Sequence, residues 1–317
     1  MMSFRSRLKQ LLRGRPVDDP ETRADIRFQK AVVVRFSGGL ANQMICYKLG
    51  RYVADLKKSS FVIDANLYED DVTSNRNFQL NQYDIRYDVL ISSERLMRDI
   101  KATQAIGYVT KESLPLPSPS YEQKAQVIEF LKKHDIIYCD FWLAMCLRTE
   151  MDEHAETHGI LNDLRLDPAR ALNDRDLACL ERIRNSAEPV AIHVRRGDFA
   201  THDGNLLLAP AYYNRSIEAL ESQLERPVFF VFSDDIPWCR KNLRATEEIQ
   251  FVDWTDERQS FKDMFLASSC RHFILSNEST FSHQIVQLSV PHSGRIIMTS
   301  GPQDLARNAA QAAGVVD

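Results

Sequence analysis

Two arginines follow an apolar stretch in the carboxyl-terminal half of the chain, within the run His193-Val-Arg-Arg-Gly-Asp198. Residues 189–194 are predicted to form a buried strand, which puts Arg195 and Arg196 at its carboxyl end. Two adjacent guanidinium groups at such a position are costly unless an anion pairs with them, and a guanidinium matches phosphate oxygens in bidentate fashion. The run therefore predicts a phosphate site in which Asp198 orients one arginine, with a surface ion pair as the alternative.

Two acidic residues follow the next predicted strand, residues 227–232, in the run Ser233-Asp-Asp235. Ser233 is a good N-cap for the helix that comes after it, and capping alone could explain the polar run. Asp234 or Asp235 could instead accept two N–H groups from the edge of a guanine base. The sequence leaves both interpretations open.

A third polar run, Ser276-Asn-Glu-Ser-Thr-Phe281, follows the predicted strand at residues 272–275 and precedes a helix. Free backbone N–H groups at a helix start, together with small hydroxyl side chains, form an anion site. The donor-binding candidates in this run are Asn277, Ser279, Thr280 and Phe281. Helix capping explains part of the pattern.

The amino-terminal half contains one comparable strand-to-helix turn, Gly38-Gly-Leu-Ala-Asn-Gln43. It is not the GxGxxG of a dinucleotide-binding fold, since no glycine follows Gly39 until Gly50. Gly38 and Gly39 would let a ligand approach the backbone closely, and Asn42 could point into a cleft. An ordinary pair of turn glycines is an equally good interpretation.

Two patterns resemble metal sites without predicting one. His154 and His158 have the i, i+4 spacing of a zinc helix, but the glutamate between them is not in the position that HExxH requires, so solvated histidines are expected. Asp174-Arg-Asp176 has the form of a metal-binding DxD, but acidic residues at a helix start also favour the helix dipole.

Alternating strands and helices are expected to position these runs, as in parallel α/β sheets. Strands are predicted at residues 31–36, 60–64, 135–141, 189–194, 227–232, 249–252, 272–275 and 295–298. Helices are predicted after Gly39 and at residues 174–184, 212–224, 238–243, 260–270 and 280–288, whereas residues 66–130 have no clear pattern. We expect an amino-terminal tail at residues 1–29 and two lobes, residues 30–174 and 175–317, with a ligand between them at the carboxyl ends of the strands.

Composition excludes several classes of protein. Of the 317 residues, 44% are hydrophobic and 26% charged, which rules out a disordered chain. The net charge of −4 argues against a nucleic-acid partner. The most apolar stretch, residues 136–147, is too short for a membrane span, which needs about 20 residues. The six cysteines form no metal-binding spacing and are predicted to be separate reduced thiols in a reducing compartment.

The first fifteen residues carry five basic side chains and no acid, with Phe4, Leu8, Leu11 and Leu12 on one helical face. They lack the apolar segment of a secretion signal. A basic amphipathic helix can lie on an anionic membrane surface, and a solvated tail is the alternative. We expect a cytoplasmic protein, in the first case peripheral at the inner face of the cytoplasmic membrane.

Taken together, the motifs resemble those of glycosyltransferase family 11, the α-1,2-fucosyltransferases, over about residues 31–290. Gly38-Gly-Leu-Ala-Asn-Gln-Met44 is similar to the family's GGLGNQM, and His193-Val-Arg-Arg-Gly-Asp198 matches HxRRxD in full. The other matches follow in family order: Tyr212-Tyr213, Phe232-Ser-Asp-Asp235 with Trp238, Asp263-Met-Phe-Leu266, Cys270-Arg-His272, and Ser276-Asn277 through Ser279-Thr-Phe-Ser282.

The resemblance implies a GT-B-like α/β architecture, in which two Rossmann-like lobes with parallel sheets face each other across a cleft. It implies GDP-β-L-fucose as donor, a galactose-terminated glycan as acceptor, inversion at the anomeric carbon, and no metal or other cofactor. Arg195 is implied as the catalytic arginine on the diphosphate, Arg196 as support for the loop or the second phosphate, Asn42 and His193 as orienting groups, and Asp198 as a partner of arginine.

Three departures from the family pattern concern the acceptor side and the linkage. Ala41 replaces a glycine, Leu143 replaces a glutamine, and His283-Gln284 replace two tryptophans. Two other classes of protein stay open at this point. A nicotinamide-dependent oxidoreductase would have Asp64 as its ribose-binding acid, and a decayed transferase would bind a nucleotide or glycan without turnover.

Overall fold

The computed structural model describes residues 30–68, 77–91, 106–110, 121–200 and 207–301. The predicted basic tail, residues 1–29, lies outside these ranges. The chain divides into two compact units, Met1–Arg165 and Leu166–Asp317. Among the described residues, no helix is both long enough and apolar enough to cross a membrane.

The described part of the first unit contains a five-stranded parallel sheet in the order β3-β2-β1-β5-β4. The strands are β1 (Ala31–Arg35), β2 (Ser60–Asp64), β3 (Val89–Ile91), β4 (Ile106–Val109) and β5 (Ile136–Cys139). The helices are α1 (Leu40–Lys57), α2 (Tyr121–Lys133), α3 (Phe141–Cys146) and α4 (Arg148–Thr157). β1, α1 and β2 form the predicted βαβ unit, with β1 and β2 paired in parallel.

The second unit contains a parallel sheet in the order β10-β9-β6-β7-β8. Its strands are β6 (Glu188–Val194), β7 (Pro227–Ser233), β8 (Ile249–Phe251), β9 (His272–Leu275) and β10 (Ile297–Thr299). Its helices are α5 (Pro168–Ala171), α6 (Asp174–Asn185), α7 (Pro210–Glu221), α8 (Ile236–Asn242), α9 (Ser260–Ser268) and α10 (Thr280–Leu288).

The core of the second unit follows from the alternation of side chains along β6. Val190, Ile192 and Val194 point to one face and pack in a buried cluster with Tyr213 of α7 and Cys239 of α8. Each fully buried aliphatic side chain of this kind stabilises the fold by about 1.5–3 kcal/mol. His193 points to the opposite face, towards α10.

The strand order of the second sheet places a topological switch point at β6, since the chain continues to β7 on one side and β9 lies on the other. Ligands of open parallel sheets bind outside the carboxyl ends of the strands at such a point. The three polar runs predicted from the sequence follow β6, β7 and β9. The fold therefore brings all three to one edge of one sheet.

The structure corrects several predicted elements. The strand expected at residues 135–141 ends at Cys139, because the Asp140 carboxylate accepts the Trp142 N–H and starts α3. The last strand is Ile297–Thr299 rather than residues 295–298. Residues 66–130, which have no clear sequence pattern, contain β3, β4 and part of α2. The six cysteines are free and buried, which confirms the prediction of separate thiols.

Candidate active site

The loop that follows β6, Arg195–Asp198, is the centre of the site, and we call it the arginine loop. Arg195 donates through Nε to Oδ1 of Asp198 at 2.9 Å and places Nη1 2.7 Å from Oδ2 of Asp234. Its side chain is 22% exposed. Burial works against the guanidinium charge, but Asp234 and Asp198 outweigh that effect and raise the pKa of Arg195. The side chain is therefore a fixed cation.

The arginine loop is held by the carboxylate of Asp234, at the end of β7. Oδ1 accepts the backbone N–H of Arg196 at 2.8 Å, and Oδ2 accepts the backbone N–H of Gly197 at 3.0 Å. A Cβ atom at Gly197 would lie 2.8 Å from the same Oδ2. A side chain at position 197 would therefore displace the Asp234 carboxylate or the loop.

Arg196 faces a different set of partners. Its Nε donates to Oδ2 of Asp235 at 3.1 Å, and its guanidinium carbon lies 4.1 Å from the ring centroid of Trp238. The other oxygen of Asp235 accepts the Trp238 N–H and caps α8. The N-cap is therefore Asp235 and not Ser233 as predicted; the Ser233 hydroxyl instead accepts the N–H of Asp235.

His193 lies beneath the arginine loop, 6% exposed. Its Nδ1 shares a hydrogen bond of 2.9 Å with the Ser282 hydroxyl, and its ring stacks on Phe281 at 4.9 Å. Burial, together with the nearby charge of Arg195, lowers the pKa of His193 to about 3. The imidazole is therefore neutral and orients its neighbours on α10.

The run after β9 forms a turn into α10. The Ser279 hydroxyl is the N-cap and accepts the Ser282 N–H, so capping is part of its role, as the sequence allowed. The backbone of Asn277 is tied at both ends, its N–H to the Ser300 hydroxyl at 3.0 Å and its carbonyl to Nε2 of His283 at 2.9 Å. His283, one of the departures from the family pattern, thus holds the turn. Thr280 and Phe281 form the first residues of α10.

A buried hydroxyl beside this turn was not singled out from the sequence. Ser276 is 2% exposed, and its Oγ has no hydrogen-bond partner in the described part of the chain. A polar atom buried without a partner is uncommon and calls for an explanation. The signal was available in the sequence, because Ser276 directly follows β9 at the switch point.

The glycine turn of the first unit has Gly38 in the left-handed region and Gly39 in extended backbone. Gly38 has φ +77°, and its carbonyl accepts the Tyr68 hydroxyl at 2.9 Å. A Cβ atom there would lie 2.5 Å from Nδ2 of Asn42, whereas a Cβ at Gly39 would meet nothing within 4 Å. Asn42 thus packs against Gly38 in the first turn of α1, and Gly39 borders open space.

Asp263 is a titratable group to which the sequence assigned no role beyond its place in the matched run Asp263-Met-Phe-Leu266. It lies in the first turn of α9 and accepts the Thr255 hydroxyl at 2.7 Å. Burial raises the pKa of Asp263 to about 7. A carboxyl group that titrates near neutrality is a frequent property of functional sites, although burial alone can also produce it.

The two metal-like patterns serve structural purposes. Asp176 is fully buried in a capping box with Asn173 and accepts from Nζ of Lys262 at 2.9 Å. His154 is not solvated as predicted: its Nε2 lies 2.9 Å from Asp55 and its ring stacks on His158. Within the described ranges, no three His, Cys, Asp or Glu side chains are grouped as metal ligands would be.

The sequence is similar to a glycosyltransferase family and to individual glycosyltransferases. The sequence matches the family model described as "Glycosyl transferase family 11" over residues 150–313. The O-antigen biosynthesis glycosyltransferase WbnK of Escherichia coli is 30% identical over 268 residues, which are 78% of this chain and 86% of the relative. The alpha-1,2-colitosyltransferase of Escherichia coli is 28% identical over 257 residues, 78% of this chain and 84% of that protein.

The fold has solved counterparts. The crystal structure of the fucosyltransferase NodZ from Bradyrhizobium superposes with a TM-score of 0.52, covering 82% of this chain and 93% of its own, at 15% identity. At that identity the likeness concerns the fold, and it confirms the predicted α/β class. The family-model match over half of the chain, and the relative at 30% identity over most of it, confirm the resemblance found in the sequence: the chain belongs to glycosyltransferase family 11 and is a glycosyltransferase.

Proposed function

We propose that this glycosyltransferase moves L-fucose from GDP-β-L-fucose to a hydroxyl of a galactose-terminated glycan, forming an α-1,2 linkage with inversion in the synthesis of a bacterial surface glycan. The observation that carries the proposal is the Arg195 guanidinium, held at the switch point of the second sheet by Asp198 and Asp234. A fixed cation at this point suits a diphosphate leaving group. A nicotinamide-dependent oxidoreductase is no longer an alternative for a member of a glycosyltransferase family.

In this proposal the diphosphate binds to Arg195, with Arg196 and the start of α10 around it. Ser279, Thr280 and Phe281 contribute backbone N–H groups or hydroxyls at a helix start, where anions are favoured. The hydroxyl of Ser276, which has no hydrogen-bond partner among the described residues, is a further donor for a phosphate oxygen. Asn277, Asp234 and Asp235 complete the donor site as supports of the turn and of the arginines.

The transition state of glycosyl transfer resembles an oxocarbenium ion, so charge builds on the departing diphosphate. Donors that are fixed in place before the reaction stabilise such charge without reorganisation. We propose that Arg195, together with the helix start, does this without a metal ion. His193 is neutral and acts by orienting Phe281 and Ser282 rather than by transferring a proton.

The acceptor side is proposed for the first unit, next to the turn at Gly38 and Gly39. Gly39 borders open space, and we propose that Asn42, which follows it on α1, orients a sugar hydroxyl. Asp198 is bound to Arg195 and is therefore assigned to that arginine and not to deprotonation of the acceptor.

The Escherichia coli colitosyltransferase among the relatives supports a second candidate donor sugar. Colitose is L-fucose without its 3-hydroxyl group, so a site for one sugar accommodates the other unless a protein group requires that hydroxyl. The Escherichia coli relative named for O-antigen biosynthesis supports a surface glycan as acceptor. A crystal structure of the NodZ alpha-1,6-fucosyltransferase soaked with GDP-fucose supports GDP-fucose as donor and keeps another linkage as an outcome of the test.

We also propose that the enzyme works at the inner face of the cytoplasmic membrane, with the basic tail as a peripheral contact. The support is the charge of the first fifteen residues, which carry five basic side chains and no acid. Basic residues near an anionic membrane surface contribute about 1 kcal/mol each to binding.

A donor screen tests the proposal. GDP-fucose, GDP-colitose, GDP-mannose and UDP-galactose are offered with galactoside acceptors, with and without chelator, and the product linkage and anomeric configuration are determined by NMR. Transfer of fucose to the 2-hydroxyl of galactose in the presence of chelator is expected, with GDP binding by calorimetry under the same conditions. A strict magnesium requirement, a retained configuration or GDP binding without any turnover would contradict the proposal.

A further inference from the structure

We propose that Asp234 is a positioning residue: its carboxylate fixes the arginine loop and aims the Arg195 guanidinium, and it does not itself read the nucleotide base. The inference rests on the proposed function in one respect, because it takes Arg195 as the group that meets the diphosphate. It replaces the guanine contact that the sequence left open for this aspartate.

The first argument is the use of the carboxylate oxygens. Oδ1 accepts the N–H of Arg196 at 2.8 Å. Oδ2 accepts the N–H of Gly197 at 3.0 Å and lies 2.7 Å from Nη1 of Arg195. An ionised carboxylate has about four acceptor positions, and three are occupied here. The side chain is only 11% exposed, so little of it is available to the edge of a base.

The second argument is what these bonds do to the loop. Two consecutive backbone N–H groups bound by one carboxylate fix the orientation of two peptide planes, and the guanidinium is attached to the same anchor. The 2.8 Å that would separate a Cβ at Gly197 from Oδ2 shows how closely the loop wraps the carboxylate. A loop held in this way presents Arg195 in one direction.

The third argument is that the two adjacent aspartates bind different arginines. Asp235 caps α8 and pairs with Nε of Arg196, while Asp234 pairs with Arg195. Each aspartate thus holds one arginine of the HxRRxD motif. Preorganised donors act on the charge that develops in the transition state. A change in the orientation of the Arg195 guanidinium should therefore lower kcat more than it weakens donor binding.

A double-mutant cycle between the two positions tests the inference. Asp234→Asn keeps one acceptor oxygen of the same shape but removes the charge that pairs with Arg195; it is combined with Arg195→Ala. Asp253→Asn is the matched control, because that carboxylate also pairs with arginine side chains, Arg175 at 2.9 Å and Arg240 at 2.7 Å, and has no proposed part in the reaction.

Asp234→Asn should lower kcat with GDP-fucose by about tenfold to a hundredfold, which is less than the roughly 100- to 1,000-fold for outright removal of such a donor because Arg195 is still present, with KM for the donor within about threefold. In the Arg195→Ala background the same substitution should cost less than about threefold, because residues that act through one another are not additive. The preference for GDP over ADP as inhibitor should be unchanged. Asp253→Asn should stay within about twofold of the wild type.

Three results would overturn the inference: a loss of the GDP-over-ADP preference with a raised KM, additive losses in the cycle, or a wild-type kcat for Asp234→Asn. If Asp234→Asn does not fold, Gly197→Ala displaces the same carboxylate while keeping its charge, and a lowered kcat with unchanged base preference is required. If the wild type binds GDP but does not use GDP-fucose, the proposed function fails alone, and the cycle is then measured on GDP affinity by calorimetry, where additive losses again reject the role of Asp234.

Discussion

Replacement of Arg195 separates the geometry of the guanidinium from its charge. Nε and Nη2 of Arg195 both approach Oδ1 of Asp198, at 2.9 and 2.8 Å, and Nη1 lies 2.7 Å from Asp234. A lysine has its three N–H donors on one nitrogen and cannot reproduce the planar spread of donors by which the guanidinium reaches two carboxylates and a phosphate. We therefore expect Arg195→Lys to lose nearly as much activity as Arg195→Ala.

The magnitude follows from the surroundings of Arg195. Loss of one preorganised donor to a developing anion lowers kcat by about 100- to 1,000-fold. The Arg195 side chain is 22% exposed, so water screens part of the effect, and the lower end, about a hundredfold, is expected. GDP affinity should fall by about tenfold or less, because the contact strengthens as charge builds on the leaving group.

The folded state should survive the change. Breaking a fully buried ion pair costs about 3–5 kcal/mol, but Asp198 is half exposed and Asp234 keeps the backbone N–H groups of Arg196 and Gly197, so the loss here should be about 1–2 kcal/mol. At roughly 2–4 °C per kcal/mol for domains of this size, the melting temperature falls by several degrees without loss of the folded protein at 25 °C.

The assay measures steady-state transfer from GDP-fucose to a soluble galactoside, GDP affinity by calorimetry, and thermal unfolding for each variant. Arg240→Ala, which removes another arginine that pairs with an aspartate, is the control for general loss of an ion pair. A folded Arg195→Ala protein with near-wild-type transfer would refute the role of Arg195. A lysine variant that retains most of the activity would show that charge suffices and that the planar geometry is unimportant.

Three further outcomes are expected. Gly197→Ala, whose Cβ would lie 2.8 Å from Oδ2 of Asp234, should lower kcat at least tenfold with little change in melting temperature, and wild-type kcat would contradict the close contact. The partly buried Asp263 has a pKa of about 7 in the folded state against the ordinary value of 3.8, so the native state binds the extra proton and the free energy of unfolding falls as the pH rises from about 4 to 7. Asp263→Asn should flatten that slope and stabilise the protein at pH 8 by up to about 4 kcal/mol; an unchanged slope in urea unfolding would exclude this carboxyl as its source. Deletion of residues 1–20 should weaken binding to anionic vesicles while activity on a soluble acceptor stays within about twofold; loss of that activity, or unchanged vesicle binding, would argue against the proposed role of the tail.

The elements of the second unit were predictable because each one carries a strong local signal. β6, β7 and β9 are short and mainly apolar, and each is followed directly by polar residues. The helices between them are amphipathic. The parallel arrangement then follows from the alternation of strand and helix, so the meeting of three polar runs at one sheet edge could be inferred without coordinates.

The first unit was harder to predict, for physical reasons that differ along the chain. β3 has three residues and β4 has four, and Gly107 and Tyr108 interrupt the apolar character of β4. Apolar residues follow Asp140, and a short apolar run is compatible with either a strand or a helix. The Asp140 carboxylate favours the helix because it caps α3. A single capping residue is a weaker signal in the sequence than a run of apolar residues.

The electrostatic arrangement of the site depends on sheet register, which was not predicted from the sequence. β6 and β7 pair in parallel with Val194 opposite Ser233, so the next residues along, Arg195 and Asp234, leave the sheet side by side. That register turns an arginine and an aspartate 39 positions apart into an ion pair of 2.7 Å. A slip of one residue would bring Asp235 beside Arg195 and move the apolar residues of one strand to the wrong face. The packing of the apolar core therefore selects the register, and the register in turn aligns the cation that we propose stabilises the leaving group.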